Sequence, residues 1–413
     1  SLAVTSPGGH GIVSKDSLTL TGGGYTISCA GHGLSANDDI ALDGVKMTIT
    51  AGKDGIHSEH DTDAILGIVY VKSGELSITA EGDGISASAN VQMDEGRFAI
   101  TAGGGYENGS KENSGSYGGF MGGPGGNRPG GKGKPSGITT MEPAEEDADA
   151  STSMKGIKAG TELKLLGGSY EINSADDGLH SNDTLVIGGG TFAIQSGDDG
   201  IHGENDVIIL GGTITVSESY EGLEGYHITI EGGTITLNST DDGINAAGGT
   251  DQSGFGGRDD MGPGGHGPMA KGDGSITLSG GTVDITARGD GIDANGSVTI
   301  SGGYTTVCGP TMGDTATLDY DTTASINGGT FIGTGANGMA QSFSDGTQGV
   351  FAVSLNDAPA GTELCLYNAD GKLVLSHTPK LSFGVIILSS PEIVKGESYT
   401  IEVDGVSGTF TAQ

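Results

Sequence analysis

The sequence has no tryptophan, three cysteines, 11 prolines and only 18 basic residues among 413. Each shortage excludes something. Cys29, Cys308 and Cys365 are too few and too scattered for a disulfide framework or a cysteine-based zinc site, so they are expected as buried small hydrophobes. Against 53 acidic residues the basic ones leave a net charge of −35, which argues against nucleic acid and anionic membranes as partners. No run of about 18 apolar residues occurs, so no membrane span is expected, and "SLAVTSPGG" does not have the form of a secretory leader. What is abundant is glycine, at 82 residues, without the G-X-Y period of collagen. Thr, Ile and Val favour strands over helices.

The glycines carry a period. Taking the Gly of each "DGI"-type unit as an anchor gives Gly11, Gly33, Gly55, Gly84, Gly156, Gly178, Gly200, Gly222, Gly243 and Gly291. The steps are 22, 22, 29, 72, 22, 22, 22, 21 and 48, so a 22-residue unit recurs ten times with three insertions, and Gly313 and Gly335 are expected to continue it. The residue after each of the ten anchors is Ile or Leu. Apolar pairs with period 2 follow at fixed offsets, such as Leu185/Ile187 and Phe192/Ile194, separated by a "GG" corner. One unit is two or three short strands that cannot bury an apolar face alone, but stacked units share a continuous interior. The expected fold is all-β: a parallel β-helix of about 10–12 coils, some 55–60 Å long at ~4.8 Å per coil.

Residues 1–344 are assigned to the helix and 345–413 to a small antiparallel β module, whose "NADGK" predicts a hairpin turn at Asp370-Gly371. The Gly-rich insertions 103–155 and 249–273 lack strand alternation and are expected to be more mobile than the coils. They contain Tyr106, Tyr117, Phe120 and Phe255, the available aromatic contacts for a sugar face.

Equal positions of successive units lie above one another. The residue before the anchor is Asp54, Asp83, Asp177, Asp199, Glu221, Asp242 and Asp290; a second acid precedes it at Asp176, Asp198 and Asp241; two residues after the anchor stand His57, His180, His202, Glu224, Asn245 and Asp293. From Asp176 to Asp293 this predicts an acidic ridge along an exposed turn. Two carboxylates ~5 Å apart repel by about 1–3 kcal/mol, which a hard cation bound by six to eight oxygens would offset. Calcium is therefore expected at Asp176, Asp177, Asp198, Asp199, Glu221, Glu224, Asp241, Asp242, Asp290 and Asp293. Zinc is disfavoured, because the three histidines share one column without a cysteine.

Through "DDGIH" and "GGT", recurring over residues 10–345, the chain resembles the clostridial-type secreted carbohydrate-binding β-helix proteins. That family binds calcium, cellulose and polygalacturonate and is similar in fold to family 9 pectate lyases. The resemblance implies a right-handed helix, calcium among the aligned acids, and a monomer outside the cell or on its surface, bound to plant cell-wall polysaccharide. At "SYEGLEG" Tyr220 and Glu221 replace the paired Asp. Non-catalytic binding is the expected function, with a calcium-dependent lyase or a structural adhesin stalk as alternatives. Lys155, Lys158 and Arg288 lie near the acids as conceivable lyase bases, though each reads more simply as solvated surface charge.

Overall fold

The computed structural model describes residues 1–60, 62–111, 153–246, 272–313 and 315–413. Segments 112–152 and 247–271, with Tyr117, Phe120 and Phe255, lie outside the described residues, and so does most of what was expected of the two insertions.

One coil shows how the sequence becomes the fold. Leu179–Ser181, Thr184–Ile187 and Thr191–Ser196 are three short strands, each alternating between core and surface wherever both faces are not covered. Each pairs in parallel with the equivalent strand of the coil on either side, in register except for a shift after Ile194: Leu179 with Ile157 and Ile201, Leu185 with Leu163 and Val207, Phe192 with Tyr170 and Ile214. The repetition produces three parallel ladders within a sheet of 31 strands, the pairing pattern of a parallel β-helix. Across the described residues the only helix is a single 3₁₀ turn at Tyr106–Asn108, and no helix is long and apolar enough to cross a membrane.

The interior is one continuous aliphatic core, with Ile or Leu after each anchor fully buried from Leu34 through Ile201 to Ile292. Phe98, Tyr170 and Phe192 stack within it at centroid spacings of 4.8 and 4.5 Å. At the corner before each third-ladder strand one glycine takes a positive φ, 97° at Gly168 and 110° at Gly190, where a side chain would be strained. The anchor glycines serve a different need. A Cβ on Gly178 would stand 2.6 Å from the carbonyl oxygen of Gly200, and one on Gly200 would stand 2.7 Å from that of Gly222. Each anchor N–H donates to the carbonyl of the residue before the next anchor, as from Gly178 to Asp199 at 2.9 Å.

Two expectations are corrected. Gly313 does not continue the anchor column: Thr317 does, because the Gly291 N–H donates to the carbonyl of Ala316 and Leu318 takes the buried place after it. Of the cysteines only Cys308 is buried; Cys29 and Cys365 are half-buried, and all three are free.

Past the last coil strand the pairing turns antiparallel. Thr323–Gly335 pairs with Phe383–Ser389, which pairs in turn with Val350–Ala358. Leu364–Tyr367, Leu373–His377, Ser398–Val403 and Val406–Thr411 form a separate four-stranded antiparallel sheet over a second core that includes Phe351, Leu366 and Tyr399. The turn between its first two strands is the expected one, with Gly371 at φ 76°.

Candidate functional site

The residue before each anchor and the residue two after it form neighbouring columns along one edge of the stack. The first column is not an exposed turn. Asp54, Asp83, Asp177, Asp199 and Glu221 of that column are buried, as are Asp176 and Asp198 beside it; its last members, Asp242 and Asp290, are partly open, and so are the neighbouring Glu224, Asp241 and Asp293. The cause is the glycine beside them: without a Cβ, successive backbones close over the carboxylates.

Burial gives most of the first column a structural duty. One carboxylate oxygen accepts the backbone N–H of the same position one coil on: Asp54 Oδ1 from Asp83 at 2.8 Å, Asp83 Oδ1 from Lys155 at 2.7 Å, Asp177 Oδ1 from Asp199 at 3.1 Å, Asp199 Oδ1 from Glu221 at 3.3 Å. Asp242 accepts likewise from Asp290, and Asp290 from Ala316. The other oxygen often faces the histidine three residues on, at 2.7 Å for Asp54 and His57, 2.8 Å for Asp177 and His180, and 3.1 Å for Asp199 and His202. The histidine column is thus tied to the acids of its own coils, and His180 and His202 are also in ring contact at 4.9 Å.

The expected single ridge resolves into three clusters, the first two bridged by a further group of Asp177, His180 and His202. In the first, Asp176, Asp177 and Asp198 have oxygens within 4.8 Å of one another. Lys155 sits among them, fully buried, with Nζ 2.5 Å from Asp177 and 3.1 Å from Asp176. Solvated surface charge was the expectation for Lys155; it fails because this residue occupies the acid column itself, immediately before Gly156. Burial alone would raise Asp177, but the Lys155 ammonium and then His180 hold it well below the usual carboxylate range. Burial and the same ammonium push His180 down to about 4. Lys111 Nζ lies 2.7 Å from Asp198. Lys158 is half-buried and Arg288 exposed.

The second cluster joins Asp199, His202 and Glu224, with the His202 Nδ1 2.7 Å from Glu224. Against burial, Glu224 and Asp199 keep His202 well above its ordinary value. Glu221 beside it receives both hydrogen bonds of the Asn245 amide nitrogen, at 3.0 Å each, yet burial and then the charge of Glu224 push it well above the carboxylate range.

The third cluster is Asp242, Asp290 and Asp293. No ion pair to Lys, Arg or His reaches these three among the described residues. Burial, followed by Asp290 and Asp241, raises Asp242 well above its ordinary value; burial raises Asp290 to about 7, and burial with Asp319 raises Asp293 to about 6. Asn245, the register partner of Asp293, keeps a buried Oδ1 with no hydrogen-bond partner. Gly289 leaves space that a Cβ would fill against Asp241 and Asp242. Repelling carboxylates, an orphaned amide oxygen and room beside them are an all-oxygen donor set suited to a hard cation.

A family model described as "Carbohydrate-binding domain-containing protein" matches residues 1–200 and again 199–347. Among solved structures, the "polysaccharide lyase-like protein from C. thermocellum, Gadolinium derivative" aligns at 15% identity over 81% of this chain and 90% of that one, with a TM-score of 0.23. No curated protein matches.

Proposed function

Because the chain belongs to the family of carbohydrate-binding domain-containing proteins, we propose that it is a non-catalytic polysaccharide-binding protein, extracellular or attached to the cell surface, that holds acidic glycans through calcium. The observation that carries the reading is the third cluster: three carboxylates with oxygens within 4.8 Å of one another and no countercharge among the described residues, where protonation or a bound cation must relieve the repulsion. Calcium would be held by Asp242, Asp290 and Asp293, with Asp241 and Asn245 Oδ1 close by. The ion would neutralise the site and leave coordination positions to carboxylates of polygalacturonate, for which a protein of charge −35 is otherwise a poor partner. Asp176, Asp177 and Asp198 fit calcium less well, since Lys155 and Lys111 already supply cations there. Right-handed winding of the coils is part of the same proposal, on the general preference of parallel crossovers.

Lyase chemistry loses one candidate base in Lys155, whose ammonium is enclosed and paired. The test is binding of polygalacturonate and cellulose by the full chain, with calcium and with chelator. Calcium-dependent retention on polygalacturonate, lost in Asp242→Asn, supports the reading. Retention unchanged by chelation overturns it, and steady release of ultraviolet-absorbing unsaturated uronates would replace it with the lyase.

A further inference from the structure

Near the other end of the two columns the residue types change. His10 and His32 stand where later coils have Asp, and His32, Asp54 and His57 bring two imidazoles onto one carboxylate. Asp54 Oδ2 lies 2.7 Å from the Nδ1 of His57 and 3.3 Å from the Nδ1 of His32. The rings of His32 and His57 are stacked at 4.1 Å, and Glu59 Oε2 lies 3.1 Å from the Nε2 of His57. A cavity of about 170 Å³ opens onto the group, lined by His10, His32, Ser35, Asn37, His57 and Glu59.

The contact at His32 is the informative one. Its Nδ1 accepts the backbone N–H of Asp54 at 3.2 Å, so that nitrogen carries a lone pair and no proton in the neutral ring. The same lone pair faces a carboxylate oxygen at 3.3 Å. Two electron-rich atoms therefore confront each other where one proton cannot serve both contacts. Two ligands at tetrahedral angles on zinc, each about 2.0–2.1 Å from the ion, lie about 3.3 Å apart. The His32–Asp54 separation already has that value, and the His57–Asp54 pair needs to open by about half an ångström to match it.

We propose that His32, Asp54 and His57 form a binding site for a borderline first-row divalent ion of the zinc class, separate from and chemically unlike the all-oxygen cluster. Nitrogen donors select such ions over calcium. Binding displaces the proton between His57 Nδ1 and Asp54 to solvent and takes the His32 Nδ1 lone pair from the Asp54 backbone N–H, which requires one imidazole to turn out of the His32–His57 stack. The cavity leaves a further coordination position for Glu59, water or a ligand. The disfavour of zinc drawn from the sequence compared histidines along a single column. The site is built across two, with Asp54 and His32 from one and His57 from the other.

The experiment uses the chelator-stripped full chain, titrated calorimetrically with zinc chloride alone in buffer holding millimolar calcium. One equivalent of zinc should bind the wild type. His57→Gln should weaken it more than about tenfold, since even partners behind a metal ligand are worth about 10–100-fold. His57 is partly exposed, so this variant keeps the buried Asp54 contacts to the next coil. Asp54→Asn should weaken binding as strongly, and His227→Gln, away from the cluster, should leave it unchanged. Cobalt in place of zinc should give visible absorption in the wild type that His57→Gln lacks. Absence of stoichiometric zinc binding, equal binding by His57→Gln and wild type, or displacement of zinc by calcium would each overturn the proposal.

Discussion

Coils anchored at Gly156 and Gly178 and those anchored at Gly243 and Gly291 have the same backbone and the same columns, and opposite solutions to buried charge. In the first pair a lysine stands in the acid column and neutralises Asp176 and Asp177 from inside. In the second pair no such cation is present among the described residues, and Asp242, Asp290 and Asp293 are all driven toward their protonated forms. A repeat can keep its geometry while the side chain at one register position decides whether a coil is internally neutral or must take up a proton or a cation.

The comparison breaks most sharply at Lys155. Lys155→Met should cost about 3–5 kcal/mol, because two buried carboxylates lose their partner. Thermal and denaturant unfolding measure the loss, and the His180 imidazole, followed by NMR, should titrate above its present value of about 4. Next in size is the response to calcium. At a hundredfold excess over its dissociation constant the ion should stabilise the wild type by about 2.7 kcal/mol. Asp242→Asn should lose most of that gain, and without calcium should be as stable as the wild type or more so.

The pH dependence separates the two regions by sign. Asp290 and Asp293 titrate near 7 and 6 in the fold, above the ordinary value of about 4, so the native state holds protons that the unfolded chain has released. The contribution of these two groups to the stability of the calcium-free protein should therefore fall as pH rises from about 4 through 7, and Asp242, also raised, extends the fall beyond it. Asp177 has a depressed value, so its contribution is present above the ordinary carboxylate range and is lost on acidification below it. Melting curves with and without calcium should show the first slope only in its absence. The smallest effect is expected at Lys111, partly exposed against the buried Asp198, which is already raised toward its neutral form: Lys111→Met should lower the melting temperature less than Lys155→Met does.

The coil period was legible because every unit meets the same demand. Ile201, Leu185 and Phe192 recur at fixed offsets since each must fill the same place in the core. The acid columns were legible for the same reason. Their burial was not: Asp-Gly reads as a solvated turn, and only the stacked structure shows the next backbone closing over the carboxylate. Lys155 escaped because a long insertion separates it from the preceding acid, Asp83, although its place before Gly156 marks it as a member of the column. His32 escaped because a search for acids passes over the histidine that replaces one.

The anchor glycines bear on how the molecule would fail. Each is the point where one rung lies against the next, with no space even for a methyl group between Gly200 and the carbonyl of Gly222. A single Gly200→Ala exchange would act as a dislocation does in a crystal, forcing two layers apart at one line while leaving the order on either side intact. Since each layer touches only its neighbours, the damage would not spread through the rod but divide it. The calorimetric trace of such a variant should split, one half melting with the lysine-bridged coils and the other with the coils of the proposed calcium site.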